Sequence, residues 1–145
     1  MGYFRSETVP VTTLDEIYSN KKLMNELKVC PVEATLRFIG KRWTILILRE
    51  MFRGVTQFNR FLENIEGINP RMLSLRLQEL ERCRIVEKQI VSEYPLRASY
   101  KLTELGRHSE RILVQAALYS MRNMPEDVFK RGKPRNLEQL IGNES

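Results

Sequence analysis

The chain has 145 residues, 42% of them hydrophobic, and a formal net charge of +6, so it is long enough for one domain with its own core. No segment approaches the roughly 18 apolar residues of a membrane span, and the N-terminus has no apolar secretion signal, so we expect a cytoplasmic protein without membrane association. Two distant cysteines and a single histidine form no metal-ligand set or catalytic pair, so the sequence predicts no metal, no cofactor and no enzyme activity.

The N-terminal region is predicted to contain a short arm followed by one helix. Residues 1–12 have the composition of a loose arm, and Thr13 is a candidate N-cap for a helix that ends near Lys28. Asp15 and Glu16 would stabilise its first turn. We assign residues 1–29 to this arm and helix.

Three more helices are predicted before residue 66. Pro31 begins the first, which Gly40 interrupts. The next run, WTILILREMF, is apolar nearly all round and is therefore expected to be the most buried element. The third, QFNRFLENI, carries an apolar stripe at i, i+3, i+4 and i+7 spacing, formed by Phe58, Phe61, Leu62 and Ile65.

The segment GINPRMLSLRLQELER, from Gly67 to Arg82, predicts a tight turn and a second helix. Asn69 is a candidate cap and Pro70 suits the first turn. One side carries a core-facing stripe of Leu73, Leu77 and Leu80, and the opposite side carries Arg71, Leu75, Gln78 and Arg82, with Ser74 on the flank. A helix-turn-helix presents such a polar, basic face to DNA bases, although this segment alone fits any helical hairpin equally well.

An extended pattern follows the second helix. IVEKQIV and ASYKL are rich in β-branched and aromatic residues, and the loop SEYPLR separates them. A β-hairpin in this place is typical of a winged helix, in which Arg97 of the loop would reach phosphate or the minor groove. A hairpin that only closes the core is the alternative, and its position after helix, turn and helix favours the wing.

The excess positive charge lies in the same part of the chain. Residues 41–102 contain 12 Lys and Arg against 7 Asp and Glu, whereas residues 1–40 contain 5 of each. Phosphate binding requires such a concentration of positive charge, because the release of counterions from DNA drives much of the affinity.

The C-terminal part is predicted to form one long helix, capped by Thr103 and ended by Pro125, followed by a polar tail over residues 125–145. Its apolar side and that of the N-terminal helix have no obvious partner in the predicted core. We expect them to form a two-fold homodimer, with residues 30–124 as the DNA-binding domain and 103–124 as its dimerisation helix. The alternative is that both helices fold back on their own subunit.

These patterns predict a mainly α protein with a small β-hairpin wing that binds double-stranded DNA. Arg71 is placed to pair with a guanine or a phosphate, Ser74 and Gln78 with bases, and Leu75 with a thymine methyl group. Gln57, at the start of its helix, and Arg60 are expected to meet phosphates. Arg97 serves the wing.

Residues 30–106 resemble the HxlR family, a MarR-like branch of winged-helix transcriptional regulators. The resemblance rests on CPVEATL, on IGKRW with the apolar helix and LRE after it, and on F-x-R-F-L, GINPRML, LQELE and YKLTELG. It implies a dimeric regulator acting on a pseudo-palindromic operator, and some members sense oxidants or electrophiles through the cysteine that stands here as Cys30. The chain departs from the family at Lys41 and at Arg84, where glycine is usual; a left-handed position at the end of a helix tolerates Arg poorly.

Cys30 precedes the helix that begins at Pro31, where backbone N–H groups and the helix dipole favour a thiolate. A structural cap is the simpler interpretation of this residue, and redox sensing is the alternative. Two other functions stay open. A winged-helix module that binds protein instead of DNA would need an apolar outer face, for which Leu75 is the one indication, and a small-molecule effector between the dimer helices is compatible with DNA binding.

Overall fold

The computed structural model describes residues 13–132, which divide into two compact units, residues 13–37 and 38–132. The described residues form nine helices and one two-stranded sheet. The helices are α1 Leu14–Ser19, α2 Lys21–Glu26, α3 Pro31–Ile39, α4 Thr44–Phe52, α5 Phe58–Asn64, α6 Pro70–Arg82, α7 Glu104–Arg107, α8 Glu110–Asn123 and α9 Pro125–Val128, and the strands are β1 Val86–Glu93 and β2 Leu96–Leu102. The predicted arm, residues 1–12, and most of the predicted tail lie outside the described residues.

The predicted single helix from Thr13 to Lys28 is wrong, because the structure has two short helices there. Thr13 does cap the first: its hydroxyl accepts the N–H of Glu16, whose carboxylate accepts the N–H of Thr13. Asn20 then takes an extended conformation and caps α2, accepting the N–H of Leu23 at 3.0 Å. An asparagine side chain that bonds the backbone competes with a continuous helix, which explains the break.

The core of the second unit is built from α4, α5, α6 and the sheet. The buried hydrophobic residues are Ile39, Ile47, Leu48, Met51, Phe61, Ile65, Leu73, Leu77, Leu80, Ile85, Val86 and Tyr100. The predicted stripe of α6 is therefore confirmed. The stripe of α5 is confirmed in part, since Phe58 and Leu62 are only half-buried.

The turn between α5 and α6 and the start of α6 form as the sequence predicts. Gly67 has a φ of +82°, and Asn69 caps α6 by accepting the N–H of Met72 at 2.8 Å. Pro70 occupies the first turn, where its missing N–H costs nothing. A Cβ at Gly67 would lie 3.4 Å from the Trp43 ring, so the turn packs closely on the loop before α4.

The end of α6 is a Schellman motif in which Arg84 takes the left-handed position, with a φ of +59°. The N–H of Ile85 donates to the carbonyl of Leu80 at 2.9 Å, and the N–H of Arg84 donates to that of Glu81 at 2.9 Å. The predicted strain at Arg84 is therefore present.

β1 and β2 form an antiparallel hairpin with a bulge between Ile90 and Ser92. The connection is shorter than the predicted six-residue loop: Ser92 pairs with Arg97 and Glu93 with Leu96, leaving Tyr94 and a cis-Pro95 as the turn. The loop position predicted for Arg97 is thus wrong, since this residue belongs to β2.

The predicted long helix after the wing is also divided. α7 ends at Arg107 and α8 begins at Glu110, because the Ser109 hydroxyl donates to the carbonyl of Gly106 at 2.6 Å and interrupts the helical pattern. Pro125 ends α8 as predicted and begins the short helix α9. None of the helices in residues 13–132 is long and apolar enough to cross a membrane.

Candidate nucleic-acid interface

The outer face of α6 carries the predicted base-reading side chains away from the core. Arg71, Leu75, Gln78 and Arg82 are exposed, and Ser74 is half-buried beside them. The Gln78 amide lies 3.5 Å from the Ser74 hydroxyl and donates to it. The five residues therefore share one polar, positively charged surface with a single large apolar member.

Ion pairs and a hydrogen bond on the side of α6 hold this helix against residues 40–43, the loop before α4. The Arg76 side chain is only 14% exposed and donates to the carbonyl of Arg42 at 2.9 Å and to Glu79 at 3.0 Å. Lys41 pairs with the same carboxylate at 2.9 Å. Burial raises the pKa of Glu79, but the bonds from Lys41 and Arg76 outweigh it and hold this pKa below its usual value. Arg76 thus has a structural task and is not presented with the outer face.

In the sequence, Lys41 stood out only because the HxlR family usually has glycine at this position. The structure shows that its ammonium group pairs with Glu79 of α6. The next residues complete the loop: the Arg42 guanidinium lies 4.4 Å from the centre of the Trp43 ring, and Trp43 has a φ of +77°. The loop is therefore held both by stacking and by ion pairing.

The residues predicted to meet phosphates are Gln57, which stands at the N-cap position of α5, and Arg60, which lies within that helix. Gln57 precedes α5, is exposed and makes no capping bond through its side chain. Arg60 is exposed but pairs with Glu63 at 2.9 Å, so its charge is partly neutralised. The backbone around Gln57 contacts the wing, since the N–H of Tyr100 donates to the carbonyl of Thr56 at 2.8 Å.

The tip of the wing is largely apolar. Its turn residue Tyr94 is 93% exposed, and Val91 and Leu96 are also exposed. Arg97, exposed on β2 just after the turn, is the predicted cation of the wing. The wing tip thus combines apolar side chains with one guanidinium group, that of Arg97, and one carboxylate, that of Glu93.

Glu50 is a buried carboxylate that the sequence analysis missed. Its side chain is 0% exposed and accepts bonds from Arg49 at 2.9 Å, Arg53 at 3.0 Å and Asn64 at 3.0 Å. Burial raises its pKa, but the bonds from Asn64, Arg49 and Arg53 outweigh burial and hold the pKa below the usual value. The signal in the sequence was an acid with arginines at i−1 and i+3 inside an apolar helix.

Cys30 lies in the N-terminal unit, directly before α3, and is half-buried. The Tyr18 hydroxyl is 2.9 Å from its Sγ. The bond from Tyr18 and those from the backbone N–H groups of Glu33 and Val32 lower the pKa of the thiol. Cys83, exposed at the end of α6, is also a free thiol.

The structure brings the predicted DNA-contacting residues together in the second unit, while Cys30 lies in the first. In residues 13–132 no three His, Cys, Asp or Glu side chains are grouped as metal ligands.

Comparison with known proteins identifies the architecture. A family model described as HxlR-like helix-turn-helix matches residues 38–128. The HTH-type transcriptional regulator YybR of Bacillus subtilis (strain 168) is 39% identical over 99 residues, which cover 68% of this chain and 74% of that protein.

Two solved structures have the same fold at significant identity. The reduced form of the transcriptional regulator YodB from B. subtilis matches with a TM-score of 0.58 and 33% identity, over 66% of this chain and 94% of that one. The reduced form of the redox regulator HypR matches with a TM-score of 0.62 and 36% identity, over 68% of this chain and 99% of that one. Because the family model spans more than half of the sequence and covers both the helix-turn-helix and the wing, this chain belongs to the HxlR-like helix-turn-helix family of DNA-binding transcriptional regulators.

Proposed function

We propose that this protein acts in the cytoplasm as a homodimer that binds a pseudo-palindromic DNA site by inserting α6 of each subunit into the major groove. The observation that carries the proposal is the outer face of α6. It presents Arg71, Gln78 and Arg82 on a helix whose opposite side is buried and whose start is capped by Asn69. A rigid, basic, polar helix face is what base readout requires.

The proposed roles follow the position of each side chain. Arg71, at the second residue of α6, pairs with a guanine or a phosphate. Ser74 and Gln78 bond bases and Leu75 contacts a thymine methyl group. Gln57, Arg60 and Arg97 contact the phosphate backbone on either side.

Unpaired apolar surface supports the dimer. Leu105 of α7 and Ile112, Val114 and Tyr119 of α8 are exposed, and α8 has no buried residue. α1 and α2 also have no buried residues and expose Leu14, Tyr18 and Leu23. Exposed apolar faces of this kind mark interaction surfaces, and a second copy of the chain would cover them in a two-fold arrangement.

A protein-binding module without DNA contact has little support. It would need an apolar outer face on α6, and Leu75 is the one large apolar side chain among the exposed residues there. The neighbouring arginines oppose the burial of that face in a protein interface.

Binding should select one sequence from a pool of random duplexes, and the selected site should have two-fold symmetry with half-sites about 34 Å apart. Affinity should fall steeply as salt rises, because phosphate contacts release counterions. Fluorescence anisotropy between about 50 and 200 mM salt measures this, with light scattering for the stoichiometry. Affinity independent of salt, or a selected site without symmetry, would contradict the proposal.

We also propose that covalent modification of Cys30 modulates DNA binding. Two observations support this. YodB is solved in reduced and in diamide-treated forms, and HypR is described as a redox regulator in oxidised and reduced forms. Cys30 has a lowered pKa, so a larger fraction of it is the reactive thiolate at neutral pH.

Changing Tyr18 to phenylalanine should raise the pKa of Cys30, because the tyrosine hydroxyl is the main cause of its lowering. The midpoint of alkylation against pH should therefore move upward, and labelling at pH 7 should slow. Exposed Cys83 in the same molecule is the internal control, and its labelling profile should stay unchanged. A midpoint for Cys30 that does not move would show that the hydroxyl has no part in its reactivity.

A further inference from the structure

Two shallow cavities meet at the segment between α4 and α5. One, of about 400 Å³, is lined by residues 53–57, Arg60 and Asn64. The other, of about 730 Å³, is lined by residues 56–59, Val91 and residues 96–99. Because they share Thr56 and Gln57, they form one continuous surface, which we name the arginine trough.

The charged residues that line the arginine trough are all cations. Its charged lining residues are Arg53, Arg60 and Arg97, and no aspartate or glutamate lines either of its two cavities. A third cavity, of about 440 Å³, differs in this respect, because Glu87 and Glu110 line it together with Lys101 and Arg107. The lining of the trough thus holds charged residues of one sign only, unlike that of the third cavity. Such a lining suits an extended anion.

Arg53 is held in a fixed orientation at one end of the trough. Its Nη1 donates to both oxygens of the buried Glu50 carboxylate, at 3.0 and 3.2 Å, while its side chain is 67% exposed. One nitrogen makes both bonds, so the Nε and Nη2 donors remain for a second acceptor. Asn64, which also donates to Glu50, lines the same end of the trough. Arg60 contributes less, because Glu63 pairs with it.

The rest of the lining suits a sugar-phosphate chain. Phe58, Val91, Leu96 and Ala98 supply apolar contacts for deoxyribose, and Gln57, Asn59 and Ser99 supply neutral hydrogen-bonding groups. Helix α5, which contributes Phe58, Asn59, Arg60 and Asn64 to the lining, contacts α6 as well as β2, so the trough is built on an element that packs against the recognition helix. Phosphate contacts beside the recognition helix set its register on the duplex.

We propose that the arginine trough binds the phosphodiester backbone of one strand of the duplex that α6 reads, with Arg53 and Arg97 contacting phosphates towards its two ends. This inference rests on the proposed function. It adds Arg53, Asn59, Asn64 and Ser99 to the backbone contacts, and it gives the buried Glu50 the task of orienting Arg53.

The test compares Arg53→Gln with Arg49→Gln. Both changes remove one positive charge and one partner of Glu50, but Arg49 does not line the trough. Arg53→Gln should reduce the slope of log affinity against log salt by about 0.9 for each phosphate that the variant no longer binds, and should weaken binding roughly tenfold at low salt. Arg49→Gln should keep the wild-type slope. Thermal unfolding of both variants checks that the fold is retained.

A second variant keeps the proposal testable if Arg53→Gln fails to fold. Asn59→Asp is nearly isosteric and lies in the first turn of α5, where a carboxylate does not harm the helix. It should weaken binding to all DNA sequences by repelling phosphate.

The outcomes separate the two proposals. A wild-type protein that binds no DNA overturns both. If the wild type binds DNA, two results would overturn the trough proposal alone. One is an equal salt slope for Arg53→Gln and Arg49→Gln, and the other is wild-type affinity of Asn59→Asp. If the salt slopes of the two arginine variants are equal but the wild type binds inorganic phosphate and Arg53→Gln does not, the trough is a site for a free anion.

Discussion

Replacing Gly106 with alanine is expected to lower the free energy of unfolding by about 3 kcal/mol, the upper part of the range for overpacked sites. A Cβ at this position would overlap the carbonyl oxygen of Ile85 and lie 3.1 Å from the Leu102 side chain. The carbonyl cannot move away cheaply, since it accepts the N–H of Thr103 at 3.0 Å, and the Thr103 hydroxyl, which lies 3.2 Å from it, donates to the neighbouring carbonyl of Arg84 at 2.6 Å. Thr103 also caps α7, so relieving the overlap disturbs the joint between the wing and α7.

Gly54→Ala is the matched control. Gly54 has a φ of +91°, but a Cβ there would meet no atom within 4 Å, so only backbone strain of about 1 kcal/mol is expected. Urea unfolding of both variants and the wild type gives the difference. Equal destabilisation of the two variants would mean that α7 shifts easily and that the close approach at Gly106 has no energetic weight.

The helix-turn-helix could be predicted in detail because its signals are local. Asn69 and Pro70 mark the start of α6, and the leucine stripe marks its buried side, so the prediction and the structure agree at both ends of that helix. The cap and the stripe depend on residues a few positions apart. The left-handed backbone at Arg84 was expected on a different ground, the resemblance to the HxlR family, in which glycine is usual at this position.

Features that join distant parts of the chain could not be predicted in this way. Lys41 pairs with a carboxylate 38 residues later, and Asn64 bonds Glu50 across 14 residues. No periodicity in the sequence indicates such pairs. The extent of the wing was misjudged for a different reason, because the pairing of Ser92 with Arg97 across the hairpin extends both strands beyond the residues with high β-propensity.

The two breaks, between α1 and α2 and between α7 and α8, have local causes and yet were not predicted. Asn20 and Ser109 each bond the backbone locally, and such residues are known competitors of helix. The apolar pattern continued through both breaks and predicted continuous helices. Local hydrogen bonding therefore outweighed periodicity at these two positions.

Arg71→Ala should relax the choice of base at one position in each half-site, with discrimination there falling by about 1–3 kcal/mol, or roughly 5- to 150-fold. The residue is exposed on the outer face at the second position of α6, where a base edge would meet it. Stability should not suffer, because a cation at a helix N-terminus opposes the helix dipole and its removal is neutral or mildly favourable. A fall in affinity can therefore be assigned to the interface.

Arg97→Ala provides the contrast, since Arg97 is exposed on the wing, where a phosphate contact is proposed. It should weaken binding to all sequences by a similar factor and reduce the salt slope, while leaving the preferred bases unchanged. Competition with duplexes that each carry a single base change measures both variants against the selected site. If Arg71→Ala instead weakens every duplex equally and reduces the salt slope by about one per subunit, Arg71 contacts phosphate, and base reading on this face falls to Ser74 and Gln78.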